Sequence, residues 1–150
     1  MATTVKIEGL AELGRALDEM SKATARNTLK RVLKKRAEPI RDKWRAKVAP
    51  YRETGHYEDS IIVGTRLTAR QAKEARVEGK NFAEIHVGTS DPAALQDEFG
   101  NIHQSARAPG RTAWEGEKAT VLEGIADDLA AEIEKTRARA ARKAAKLAKG

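Results

Sequence analysis

The sequence predicts an α+β fold in which a small, mostly antiparallel sheet packs with a long kinked helix and a long C-terminal helix. Two long amphipathic patterns indicate the helices, and shorter stretches of alternating polarity indicate the strands. A chain of 150 residues is large enough for one compact domain. We therefore expect a single α+β domain at residues 1–134 and a basic helical extension at residues 135–150.

The N-terminal part is expected to hold a strand and a short helix. Residues 5–7 alternate in polarity, which predicts a short strand. Residues 9–20 carry leucines at intervals of three and four, which predicts a helix.

A long amphipathic helix is predicted over residues 24–48, with Thr24 as its cap. Basic side chains flank its apolar stripe, which consists of Leu29, Val32, Leu33, Ile40, Trp44 and Val48. Pro39 lies inside this pattern and lacks a backbone donor, so we expect a kink or a break about one turn upstream. Pro50 ends the pattern.

Shorter elements are predicted between the two long helices. The polar residues 51–59 indicate an exposed loop, residues 61–67 a strand and residues 68–77 a short helix. Residues 82–87 alternate most clearly and predict a second strand. Residues 90–110 follow as a turn, then a helical turn or a strand, and finally a loop.

The final helix is predicted over residues 113–148, with Thr112 as its cap. Its apolar stripe fades after Ile133. Such a helix is about 50 Å long, whereas a domain of this size has a radius of gyration of about 15 Å. Its last turns cannot all pack on their own body, so we expect them to project, to dock on a neighbour or to fray.

Charge is unevenly distributed along the chain, whose net charge is +7. Residues 24–52 hold eleven basic and two acidic side chains, and residues 135–149 hold seven basic and no acidic ones. Residues 113–134 hold seven acidic side chains and one basic, so this half of the final helix can pair with the basic helix. The C-terminal extension has no such counterpart nearby. Segregation of this kind indicates complementary surfaces or a polyanionic partner.

No recognisable catalytic or metal-binding motif is present, so we expect no enzyme activity, no cofactor and no metal. Cysteine is absent, which excludes disulfides and thiolate sites. The three histidines lack the spacing of a helical metal pair, and no serine lies in a nucleophile elbow. No signal peptide or membrane span is evident, so we expect a protein that is made in a cytosol and has no membrane partner.

The basic segments are candidate contacts for DNA or for an acidic neighbouring protein. Lysine and arginine neutralise phosphates without reading sequence, and neither a zinc finger nor a helix-turn-helix nor an aromatic platform is present. Any DNA contact is therefore expected to be electrostatic and non-specific, and a solvated helix end is the competing interpretation of the extension. The candidate residues are Lys34, Lys35, Arg41, Arg45, Lys135, Arg137, Arg139, Arg142, Lys143 and Lys146.

Two short motifs frame the loop before the final helix. Glu98-Phe99-Gly100 comes first, and Arg111-Thr112-Ala113-Trp114 follows. They resemble the "EFG" and "PFlRPAw" elements of the tail-completion or head–tail joining family of long-tailed phages, the gene-product-ten-like neck proteins. Gly110 and Thr112 stand where that family has an apolar residue and a proline.

The order of the remaining motifs is similar to the same family. Residues 7–13 resemble its opening segment, residues 54–61 resemble its "tG.l..SI" segment, and Val87-Gly88 resembles the strand end that precedes the EFG element. The resemblance implies an α+β fold and a homo-oligomeric ring around the DNA channel, with sixfold symmetry favoured. Heterologous contacts with rotational closure generate such rings.

The resemblance also implies structural roles for the motif residues. Gly100 is expected to permit a tight turn, and Phe99 and Trp114 are expected to anchor the loop against the core. The motif residues with expected structural roles are Gly55, Glu98, Phe99, Gly100, Arg111 and Trp114.

We therefore expect a structural virion protein of the head–tail junction, a tail-completion ring subunit that joins the head connector to the tail tube. Its partners would be further copies of itself, neighbouring neck and tail proteins, and the packaged double-stranded DNA, and it would be made in the host cytoplasm. A tail terminator or another connector ring component of the same particle is the nearest alternative. A free, non-specific basic nucleic-acid-binding protein is the alternative from a different class.

Overall fold

The computed structural model describes residues 9–51, 53–77 and 83–150. Its elements are α1 (Leu10–Asp18), α2 (Lys22–Val48), α3 (His56–Ser60), β1 (Ile62–Gly64), α4 (Ala69–Val77), β2 (His86–Gly88), α5 (Ala93–Phe99) and α6 (Pro109–Ala148). The α+β class is confirmed, with one small antiparallel sheet and two long helices. The strand predicted at residues 5–7 and the first residue of the strand predicted from Phe82 lie outside the described residues.

Helix α2 begins at Lys22, two residues earlier than the sequence predicts. The Ser21 hydroxyl accepts a hydrogen bond from the Thr24 N–H at 3.3 Å, so Ser21 is the cap and the prediction for Thr24 was wrong. The helix then continues through Pro39 without a break. Ala37 and Ile40 on either side of the proline are buried. Their packing holds the helix together across the one hydrogen bond that proline cannot donate.

The sheet consists of β1 and β2, which pair antiparallel in a register that sets Val63 opposite Val87. Both strands are three residues long, shorter than the sequence patterns indicate. Ile61 comes directly before β1 and its side chain is fully buried. The Arg45 guanidinium donates to the Ile61 carbonyl at 2.7 Å and 3.1 Å, so α2 holds the start of the sheet in place.

Two segments predicted as irregular are partly helical. Residues 51–59 were predicted as a loop, but α3 begins at His56, after Gly55 adopts a left-handed conformation with φ 86°. The alternative left open for the segment before Gly100 is resolved as helix α5. A tight turn between Asn101 and Gln104 follows it.

Helix α6 starts at Pro109, four residues before the predicted start, and Ala108 is its left-handed N-cap residue with φ 48°. Proline suits this position because the first turn of a helix has unbonded N–H groups in any case. The Thr112 hydroxyl donates to the Ala108 carbonyl at 2.7 Å, so Thr112 lies within the first turn and was wrongly predicted as the cap. With 40 residues, α6 is about 60 Å long.

The core lies between α2 and α6. One cluster joins α1 to both long helices and contains Ala16, Val32, Leu129 and Ile133. A second cluster lies nearer the sheet and contains Ile40, Ala113 and Val121. Ile133 is the last buried residue of α6, and every residue from 137 onward is exposed.

Candidate functional site: the basic surface and the motif loop

Four of the basic side chains on α2 form ion pairs with acidic side chains of α6. Arg36 bonds Asp128 at 2.6 Å, and Lys35 approaches the same carboxylate at 3.3 Å. Arg31 pairs with Glu132 at 3.3 Å. The partners run in opposite order along the two helices, so the pairing expected from the charge pattern is present and its arrangement is antiparallel.

The pairing extends towards the N-terminal end of α6, where Lys43 contacts Glu117. Between the ends, a Cβ on Gly124 would collide with the Arg36 guanidinium at 2.1 Å. Glycine therefore leaves the space through which Arg36 reaches Asp128.

The ion pairs alter the acidity of the α6 carboxylates. The hydrogen bond from Arg36, together with Lys35, holds the pKa of Asp128 below its usual value despite partial burial. The hydrogen bond from Lys135 and the charge of Arg31 lower the pKa of Glu132 in the same way. The folded state therefore favours the ionised forms of both carboxylates, and this preference stabilises the protein at neutral pH.

Three of the four candidate contact residues on α2 have intramolecular partners. Lys35 pairs with Asp128, Arg41 bonds Asp42 at 2.9 Å, and Arg45 bonds the Ile61 carbonyl. Lys34 is exposed and makes no ion pair with the described residues. Lys35 and Arg45 thus join α2 to α6 and to the start of the sheet, whereas Arg41 bonds only its neighbour within α2.

The candidate residues at the C-terminal extension fall into two groups. Lys135 pairs with Glu132 at 3.1 Å, and Arg137 pairs with Glu134 at 3.3 Å and with Glu19 of the α1 end at 2.9 Å. The remaining bases are exposed and make no ion pair with the described part of the chain. They are Arg139, Arg142, Lys143, Lys146 and Lys149.

Glu98 of the first motif caps helix α6. Its two carboxylate oxygens accept the N–H groups of Gly110 and Arg111, each at 3.0 Å. The first N–H groups of a helix have no partner within it and carry partial positive charge, so an acid here satisfies both needs. The contact joins the two motifs that the sequence places on either side of the loop.

The neighbouring Asp97 holds the middle and the last residues of the loop, a role that the sequence did not indicate. Its buried carboxylate bonds Arg107 at 2.6 Å and the Gln104 amide at 3.1 Å. Its carbonyl also accepts the N–H groups of Arg107 and Ala108 at 2.9 Å and 3.0 Å. The only sign of this role in the sequence is that an acidic residue stands directly before the motif.

Gly100 has the predicted turn role. Its φ is 75°, and a Cβ would lie 2.8 Å from the backbone atoms Gln104 O and Ala106 N. Only glycine fits both constraints.

The expected anchoring role of the motif aromatics was wrong for Phe99. Its side chain is 68% exposed, and the Arg111 guanidinium lies 5.7 Å from the ring centroid. Trp114 is 43% exposed and lies at the edge of a groove. The acids Asp97 and Glu98 hold the loop instead, because their hydrogen bonds reach the backbone directly.

Trp44 replaces the motif aromatics as the ring that packs beneath the start of α6. A Cβ on Gly110 would meet the Trp44 ring at 2.9 Å, which explains the glycine where the family has a larger residue. The indole N–H of Trp44 donates to the Tyr57 hydroxyl at 3.2 Å. Burial raises the pKa of Tyr57.

The Gly55 segment also has a structural role. Gly55 starts α3, whose last residue, Ser60, places its hydroxyl 2.5 Å from that of Thr89 beyond β2. Ile61 follows as a fully buried side chain. The segment therefore fixes how the chain enters the sheet.

An open apolar groove of about 710 Å³ lies between α2, α6 and the approach to β2. Ile40 and Trp44 line it on one side, Val121 and Ile125 on the other. Within the described residues, no cluster of three or more acidic or histidine side chains could hold a metal ion. No helix there combines the length and apolar character needed to cross a membrane.

Comparison with known proteins identifies one family. A family described as "Bacteriophage HK97-gp10, putative tail-component" matches residues 11–100. The match includes the EFG motif and ends at Gly100, before the segment that opens α6. No curated protein and no solved structure shows significant similarity to the chain. Because the match covers more than half of its length, the chain belongs to the HK97-gp10-like family of bacteriophage tail components.

Proposed function

We propose that this protein is a subunit of a homo-oligomeric ring at the head–tail junction, which joins the head connector to the tail tube around the DNA channel. Membership in a family of phage tail components carries the proposal, and it implies a structural role in the virion. Two further observations support the junction position and the ring, whereas sixfold symmetry rests on the resemblance to neck proteins alone.

The first supporting observation is the contact between the two neck-like motifs. Glu98 lies inside the matched range, whereas Gly110 and Arg111 lie beyond it. The Glu98 carboxylate binds both of their N–H groups at 3.0 Å. The motifs therefore form one structural unit, so the part of the resemblance outside the match has a physical basis.

The second supporting observation is an exposed apolar patch on α5 and just after it. Leu95 and Phe99 lie one turn apart on α5, and Ile102 follows in the next turn; they are 65%, 68% and 92% exposed. Contiguous exposed apolar side chains mark protein–protein contacts. Because the chain also carries the apolar groove, it has two unlike apolar surfaces, and contacts between unlike surfaces generate rings.

The proposal is tested by counting copies of this chain in purified particles by quantitative mass spectrometry. A ring at a single junction requires a small fixed number, with six favoured. Hundreds of copies would place the chain along the tube, and absence from intact particles would contradict the proposal outright. Absence would instead favour the free nucleic-acid-binding protein.

A tail terminator or another connector ring component would also give a small copy number. Particles assembled without the chain separate these cases. Loss of a joining protein leaves heads and tails unattached while tails keep their normal length. Loss of a terminator leaves the tube length uncontrolled, because nothing caps the growing tube. Electron micrographs of such lysates distinguish the two outcomes.

A further inference from the structure

The C-terminal extension carries all of the surplus charge of the chain. Residues 1–134 contain 22 basic and 22 acidic side chains, so the net charge of +7 arises from residues 135–150. Within that extension, Lys135 and Arg137 have acidic partners. The bases beyond them are exposed and have none among the described residues. These charges therefore form no ion pairs that stabilise the described fold.

The unpartnered bases share one face of α6, which the C-cap residue Lys149 continues with a helical backbone conformation. Arg139, Arg142, Lys146 and Lys149 are spaced by three, four and three residues, which sets them in a line along a helix. Lys143 lies beside this line, so all five fall within about 120° of the helix circumference. Among residues 137–149, the rest of the helix circumference holds only apolar side chains and Arg137. The apolar ones are Ala138, Ala140, Ala141, Ala144, Ala145, Leu147 and Ala148.

The side chains of the extension fit a polyanion better than a protein partner. Stable protein interfaces depend on a few large anchors, most often Trp, Tyr and Arg in desolvated pockets. The extension has no aromatic residue, and Leu147 is its only large apolar side chain. Residues 135–150 contain no acidic side chain, so nothing in the extension would repel a phosphate backbone.

We propose that Arg139, Arg142, Lys146 and Lys149, which we call the basic line, bind the phosphate backbone of double-stranded DNA without reading its sequence. Neighbouring members of the line are about 4.5–6 Å apart along the helix axis. Phosphates follow one another about every 3.4 Å along the axis of one DNA strand. Each side chain can therefore reach a different phosphate. The inference concerns the extension alone and holds whether or not the chain forms a ring.

The test compares two variants of the full-length chain that lose the same charge. The line variant is Arg142→Gln, Lys146→Gln and Lys149→Gln. The control is Lys47→Gln, Arg66→Gln and Lys73→Gln, which changes exposed bases without ion partners in the described structure elsewhere on the molecule. Each set removes one arginine and two lysines, and glutamine is a good helix former. Circular dichroism checks that helix content is retained.

Affinity for a 30-base-pair duplex of arbitrary sequence is measured by fluorescence anisotropy at several salt concentrations. We expect the line variant to bind at least tenfold more weakly than wild type near 100 mM salt, whereas the control changes by less than about threefold. The slope of log affinity against log salt should fall by about 2.7 for the line variant, because each lost phosphate contact removes about 0.9.

Other results would overturn the inference. Equal losses in both variants would mean that overall charge, and not the line, attracts DNA. Unchanged binding by the line variant would assign the extension to another role. If that variant kept DNA affinity but lost association with other virion proteins, the extension would be a protein contact, and the proposed ring function would be unaffected.

Discussion

The carboxylate of Glu98 accepts the N–H group of Arg111 at 3.0 Å and thereby caps a 40-residue helix from a different element of the fold. The cap of α6 therefore comes from twelve or more residues upstream, across the loop that the two motifs enclose. This contact leads to the first prediction.

Replacing Glu98 with alanine should lower the free energy of unfolding by about 1–2 kcal/mol, because the first N–H groups of α6 lose their acceptor and their compensating charge. Urea denaturation measures the change. Glu123→Ala is the matched control, since Glu123 is exposed on the same helix and has no ion partner in the described structure. Equal effects of the two substitutions would show that the cap contributes nothing.

The Arg36–Asp128 pair should make the free energy of unfolding depend on pH in the acidic range. The folded-state pKa values of Asp128 and Glu132 are lowered, so their contribution is complete above the unfolded-state pKa values of roughly 4. That contribution is lost as the pH falls through the folded-state values. Wild-type stability should therefore decline as the pH drops below about 5.

Asp128→Asn should cost about 1.5–3 kcal/mol at pH 7, because it removes charge-assisted hydrogen bonds, and it should flatten the decline in acid. Asp127→Asn is the control, because the neighbouring Asp127 is exposed and makes no ion pair with described residues. Thermal unfolding from pH 3 to pH 7 provides both comparisons. An unchanged acid profile in Asp128→Asn would show that other carboxylates cause the decline.

Two glycines should respond to alanine with opposite signs. Gly100→Ala should destabilise the protein by more than about 2 kcal/mol, because its φ is 75° and the new Cβ would strike backbone atoms at 2.8 Å. Gly116→Ala has open space inside α6 and should stabilise by about 0.5–1 kcal/mol through helix propensity. Chemical denaturation of both variants checks the signs, and a neutral Gly100→Ala would disprove the tight-turn constraint.

The exposed patch on α5 should affect assembly and not folding. Phe99→Asp should leave the free energy of unfolding within about 0.5 kcal/mol, since exposed positions contribute little. It should also reduce the mass of any oligomer measured by light scattering and the incorporation of the chain into particles. Phe99→Leu is the control, because it keeps an apolar side chain at the same exposed position. Normal incorporation of Phe99→Asp would remove the patch from the proposed ring contact.

The sequence by itself determined the α+β class, the two long helices and the complementary charges by which they pair, whereas the antiparallel arrangement came from the structure. These follow from residues close together in the chain, since helical periodicity and blocks of like charge are local patterns. The surplus charge of residues 135–150 and the tight turn at Gly100 were also predictable, because both depend on local sequence. Ordered motifs also indicated the phage family, which the family match confirms.

Only the tertiary structure decided which charged side chains are committed to the fold. The sequence alone could not separate Lys35 and Arg36, which pair with Asp128 of α6, from Arg139 and Lys146, which have no ion pair among the described residues. The start of α6 and the exposure of Phe99 were decided in the same way. Each depends on groups that are distant in sequence and meet only when α2, α5 and α6 pack, so no local pattern could encode them.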